Sequence, residues 1–274
     1  MISRLRFSAT ARPLVAITAA LVLTGGLGGC ASVRPAEGAL AAAGTAAAPA
    51  SEDEWRRAAQ AWGERYQANS NDPQVAIHYA QALRQTGQRA QAVAVLEQAS
   101  LRSPRNTELL GAYGRALADV GNYQQALDVL GRAHAPERPD WRILSAQGAV
   151  LDQVGRHEDA QRYYASALRI VPDEPSVLSN LGLSYALSKD LPRAEATLKR
   201  AAAGQRVDPR VRQNLALVVG LQGRFAEAET IARADLPPEE ASANVAYLRQ
   251  MLAQQSDAQN RDPVRRPADA NRRG

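Results

Sequence analysis

The stretch LTGGLGGC, Leu23–Cys30, ends in the only cysteine of the 274-residue chain. A lone thiol forms no internal disulfide, which leaves four roles: a buried core residue, a catalytic nucleophile, a link to a partner, or a site of covalent modification. Other residues with reactive chemistry are few. His78, His134 and His157 lie far apart, and His157 takes the place that Tyr123, Leu191 and Phe225 fill at 34-residue offsets. Packing therefore accounts for it better than catalysis. No acidic cluster has metal-ligand spacing, and no glycine-rich loop follows a strand pattern. Asp173 and Glu174, just after Pro172, read as the approach to a helix start rather than a catalytic pair. The expectation is a non-enzymatic chain without metal, cofactor or small-molecule substrate.

What precedes Cys30 narrows its role. Residues 1–29 carry Arg4, Arg6 and Arg12 and no acid, then the apolar run PLVAITAALVL and a small-residue stretch. A basic start, an apolar middle and small residues at the end describe a secretory signal. The apolar run is shorter than the roughly 20 residues that span a bilayer. Leu27, Gly28, Gly29 and Cys30 further resemble the lipobox of bacterial lipoproteins. That resemblance implies cleavage before Cys30 and acylation of its sulfur and new amine, hence a membrane anchor. An ordinary signal with a chance cysteine is the competing reading.

The formal charge of +5 is misleading for the body of the chain. Three of those charges lie in 1–29 and a net two in 255–274, so 30–254 is neutral. A neutral body argues against nucleic acid, whose binding needs a concentrated basic face. Residues 31–50, ASVRPAEGALAAAGTAAAPA, read as a flexible tether reaching ~25 Å on average.

The remainder is governed by a repeat. Ala92, Ala126, Ala160, Ala194 and Ala228 are spaced by 34 residues throughout. Five residues before each stand Gly87, Gly121, Gly155, Lys189 and Gly223, and twelve before stand Ala80, Gly114, Gly148, Gly182 and Ala216. Small residues at fixed phase are required where two helices cross closely. The intervening glycine suits the left-handed turn that ends the first helix. At Lys189 the strain is expected to pass to Asp190 or to a different turn. Leu83, Leu117, Leu151, Tyr185 and Val219 mark one apolar phase of the first helix, and Leu96, Leu130, Tyr164 and Leu198 one of the second.

This pattern resembles the tetratricopeptide repeat (TPR). It implies an all-α fold, a right-handed solenoid of about five repeats with N- and C-terminal capping helices. The expected layout is a signal over 1–29, an anchored linker over 30–50, and a capping helix or half-repeat over 51–72. Repeats then fill 73–106, 107–140, 141–174, 175–208 and 209–236, followed by a capping helix over 237–254 and a disordered basic tail over 255–274. Terminal helices of such arrays must hide an apolar face. Trp55, Ala58 and Trp62 follow the phase of a second helix, with Ser51 as its cap. At the other end Val245, Leu248 and Leu252 share one helix face, and the last helix is expected to cover Leu217 and Leu221 or leave them open.

TPR arrays bind protein segments on the face formed by first helices, and the resemblance places groove residues at the second, fifth, ninth, twelfth and thirteenth positions of each unit. In units one to three these include Gln81, Arg84, Arg115, Asp119, Arg142 and Asp152; in units four and five they include Leu183, Leu187, Leu217 and Leu221. One half is polar, the other apolar. The arrangement of lysines and asparagines by which chaperone-binding TPR proteins clamp a terminal carboxylate is absent, and only Asn180, Asn214 and Arg210 are suggestive of it. Val211–Leu252 is also similar to the TadD family, the TPR lipoproteins of the tight-adherence (Tad/Flp) pilus assembly system. That similarity implies an outer-membrane lipoprotein facing the periplasm, supporting a secretin as pilotins do. A TPR lipoprotein of envelope maintenance, scaffolding outer-membrane protein assembly or cell-wall enzymes, is the alternative.

Overall fold

The computed structural model describes residues 51–135, 137–204 and 207–261. Cys30, the signal and the linker lie outside the described residues, as does the tail beyond Arg261. Twelve helices and no strand occur among the described residues: α1 (Glu52–Ala68), α2 (Pro73–Gln85), α3 (Arg89–Arg102), α4 (Thr107–Asp119), α5 (Tyr123–Ala133), α6 (Trp141–Gln153), α7 (His157–Ile170), α8 (Pro175–Leu187), α9 (Leu191–Ala201), α10 (Pro209–Leu221), α11 (Phe225–Ala232) and α12 (Pro238–Arg261). The fold is all-α, as the spacing implies. Five first helices, α2, α4, α6, α8 and α10, have 13 residues each and begin 34 residues apart.

Each first helix is started by a side-chain cap. Asp72, Asn106, Asp140, Glu174 and Asp208 accept a hydrogen bond from a backbone N–H one turn in, satisfying a donor that the helix itself leaves unpaired. Each is ended by a left-handed residue, at φ of 79°, 82°, 77° and 81° for Gly87, Gly121, Gly155 and Gly223. The fourth unit departs from expectation. Lys189 itself adopts φ 65°, and Asp190 N–H donates to Tyr185 O at 2.8 Å, as Asn122 N–H does to Leu117 O at 2.9 Å. The turn is unchanged, so the lysine carries the left-handed strain rather than passing it on.

Close crossings explain the small residues. A Cβ on Gly114 would stand 2.5 Å from Leu130 Cγ, one on Gly148 2.7 Å from the Tyr164 ring, and one on Gly182 2.6 Å from Leu198 Cγ. Ala92, Ala126, Ala160, Ala194 and Ala228 are completely buried beside them. Overpacking such a crossing costs about 1–3 kcal/mol.

The ends are closed differently. Ser51 and Glu54 form a reciprocal capping box on α1, and Trp62 stacks on His78 of α2 with ring centroids 4.6 Å apart. At the far end, α12 sets Leu248 against Gly220, where an added Cβ would meet Leu248 Cδ2 at 2.5 Å. α12 runs to Arg261 and so extends past Gln254, where the sequence alone placed its end.

Candidate partner-binding face

First helices of successive pairs pack on one another, α2 on α4, α4 on α6, α6 on α8 and α8 on α10, whereas second helices make no comparable contacts among the described residues. The first helices therefore form the inner side of the array. Hydrogen bonds repeat the same link: Gln74 Nε2 donates to Glu108 Oε2 at 2.6 Å, Asn180 Nδ2 to Ser145 Oγ at 3.4 Å, and Asn214 Nδ2 to Ser179 Oγ at 3.0 Å. Asn180 and Asn214 thus tie neighbouring repeats together.

The polar half of this face is largely committed to itself. Arg84 on α2 pairs with Asp119 on α4, each side chain only 13% exposed. Asp152, expected in the groove, is turned inward with its side chain 7% exposed. Its Oδ1 accepts from Ser184 Oγ at 2.7 Å and from His157 Nδ1 at 2.8 Å, and its Oδ2 accepts from the Tyr164 hydroxyl at 3.0 Å. Burial, reinforced by the Asp152 charge, raises the Tyr164 phenol well above its ordinary value, so it stays a donor. Asp152 is therefore a knot joining α6, α7 and α8, not a free carboxylate, and His157 is a hydrogen-bonded member of it rather than an apolar packing residue. A sequence signal existed: Tyr164 replaces the leucine of Leu96, Leu130 and Leu198, and a buried phenol needs a polar partner.

Gln81 is exposed on α2, and Arg142 is half-buried with its guanidinium 4.5 Å from the Trp141 ring centroid and 4.0 Å from Asp140 Oδ1. Arg115 is half-buried on α4. Desolvation, then repulsion from Arg84, pushes it down to about 10, with Asp140 and Asp119 opposing. It remains a cation at neutral pH.

The apolar half is different. Leu187 on α8 is 56% exposed and Leu217 on α10 is 39% exposed, while Leu183 and Leu221 beside them are half-buried. α12 packs its Ala241 with Ala216 and Ala232 and its Leu248 at Gly220, while Leu217 stays exposed. A separate concavity of about 530 Å³ lies between α11 and α12, lined by Phe225, Ala226, Val245 and Arg249 among others. Among the described residues, no group of three or more His, Cys, Asp or Glu side chains could hold a metal ion. No described helix is long and apolar enough to cross a membrane.

Comparison with known proteins agrees with this geometry. Residues 56–133 match the family "Anaphase-promoting complex, cyclosome, subunit 3", and residues 153–218 and 209–234 match tetratricopeptide-repeat families. No curated protein matches the sequence. Among solved structures, PilW, described as a widely conserved type IV pilus biogenesis factor, is similar with TM-score 0.61 and 15% identity over 71% of this chain and 91% of that one. A tetratricopeptide repeat protein from Parabacteroides merdae ATCC 43184 is similar with TM-score 0.61 and 12% identity, over 72% and 78% of the two chains. The APC/C hetero-tetramer Cut9-Hcn1 gives TM-score 0.57 and 14% identity, over 72% of this chain and 40% of that one. These likenesses concern the fold: the chain is a TPR solenoid, the fold of a protein-binding scaffold.

Proposed function

We propose that the chain is a lipid-anchored scaffold of Tad/Flp pilus assembly, akin to the TadD family, that captures a protein segment on the inner face of its first helices. In this reading Cys30 is acylated and holds the body at the periplasmic side of the outer membrane, where it supports the secretin without enzymatic activity. The observation that carries it is the open leucine surface: among the described residues, Leu187 and Leu217 sit on adjacent first helices and are 56% and 39% exposed. Each leucine that a partner buried completely would contribute roughly 1.5–3 kcal/mol. The similarity of Val211–Leu252 to the pilus lipoproteins supports the choice of system, and the fold shared with a pilus biogenesis factor is consistent with it.

The test replaces the chromosomal copy. Cys30→Ser should leave uncleaved precursor or a soluble product, because several acyl chains at about 0.8 kcal/mol per buried methylene are what hold the body to the membrane. Secretin in the outer membrane and assembled pili should fall with it. Wild-type protein in the aqueous phase of a detergent partition would refute the anchor, and normal pili in the Leu183→Glu, Leu187→Glu double variant would refute the role of the face.

A further inference from the structure

Among the described residues, Lys189 alone has positive φ without being glycine, at 65°, where the other units place Gly87, Gly121, Gly155 and Gly223. A side chain in this left-handed region crowds its own backbone, a cost that glycine escapes. The turn itself gains nothing from the lysine. Lys189 N–H donates to Ala186 O at 3.0 Å, and Gly121 and Gly155 make the same bond to Ala118 O and Asp152 O at 3.0 Å. Nor does the end of α8 need a cation there. Helices α4, α6 and α10 likewise have no basic residue in the last turn, and they close on glycine. Lys189 is exposed, and its ammonium makes no ion pair and no hydrogen bond among the described residues. Strain that brings no contact within the fold points to a use outside it.

The position is the rim of the leucine face. Leu187, 56% exposed, precedes Lys189 by two residues, so their Cα atoms are within about 7 Å of each other. Helix α8 carries no charged residue of its own. The charges on the turns beside it are engaged: Asp190 accepts from Arg193 N–H at 3.1 Å and pairs with its guanidinium, and Arg224 pairs with Glu195 and Glu227. Lys189 therefore sets the sign of this rim. We propose that its ammonium pairs with an aspartate or glutamate side chain of the partner segment, close to the apolar residues that lie on Leu187 and Leu217. The proposal rests on the leucine face as the binding surface and adds the partner's chemistry, an acidic flank to an apolar cluster. In an extended segment the acid falls within about four positions of the residue over Leu187.

The experiment pans a display library of random peptides, flanked on both sides so that no terminus is free, against the full chain in detergent. Clones that combine an apolar cluster with a nearby Asp or Glu should be enriched. Lys189→Gly, which installs the residue of the other units, removes the strain and should melt no lower than wild type. It should nevertheless bind the best clone about 3- to 5-fold more weakly at low salt, mainly through slower association. Changing the peptide's acid to its amide should weaken wild type equally and the variant no further, and Lys189→Arg should bind as wild type does. Enrichment of apolar peptides without an acid, equal binding of acid and amide, unchanged binding by Lys189→Gly, or a lower melting temperature for it would overturn the role of the lysine while leaving the leucine face standing. A best clone insensitive to Leu187→Glu, or no enrichment at all, would overturn the leucine face and the role of the lysine with it.

Discussion

The two halves of the inner face carry residues of opposite type and do opposite jobs with them. In α2, α4 and α6 the conspicuous charges are mostly spent within the fold, Arg84 on Asp119 and Asp152 on Ser184, His157 and Tyr164. In α8 and α10 the leucines, which composition alone would assign to a core, are left in solvent at Leu187 and Leu217. Polar residues can thus be structural and apolar ones functional. Partnership decides, not residue type.

If that contrast is right, mutations should separate the halves, and the largest effect belongs to a polar residue. Asp152→Ala strands a buried phenol and two further donors, so we expect a loss of about 2–4 kcal/mol and a thermal midpoint lower by several degrees. An unchanged midpoint would return Asp152 to the list of binding residues. Next come the crossings. Gly148→Ala drives a methyl into the Tyr164 ring and should cost about 1–3 kcal/mol by chemical denaturation, whereas the same change at Gly131, which faces open space, should cost nothing.

A smaller effect is confined to acid. Glu195 receives Arg224 Nη1 at 2.7 Å and Lys199 Nζ at 2.6 Å, and these bonds hold its carboxyl down at about 2 against an ordinary 4.5. A depressed carboxylate stabilises the fold above its unfolded value and loses that contribution as pH falls through 4.5 toward 2. After allowance for the solvent exposure of both cations, Glu195→Gln should destabilise by about 1–2 kcal/mol at pH 6 and converge on wild type near pH 2. Parallel curves across that window would exclude the linkage. The smallest stability change belongs to the binding half: Leu183→Glu with Leu187→Glu should cost less than about 1 kcal/mol while removing partner capture.

The repeat made the fold legible because 34-residue phase, small crossing residues and turn glycines are local requirements that each unit must meet. Asp173 and Glu174, read as the approach to a helix start, were legible for the same reason, and Glu174 caps α8. Where reading the sequence went astray, the deciding interaction was long-range. Asp152 was assigned to the groove by its position, but its partners Tyr164 and Ser184 lie 12 and 32 residues away. Lys189 shows a local rule yielding to the unit around it, since the helix pair holds the turn even without glycine.

The central claim is that partners are captured on the inner leucines. A photo-crosslinking amino acid placed at Leu187, at Leu217 and, as a control, at Leu101 on the second helix α3, 75% exposed, tests it in living cells. The account predicts one shared adduct from positions 187 and 217 and none from 101. An adduct of equal yield from 101, or none from 187 and 217, would contradict it.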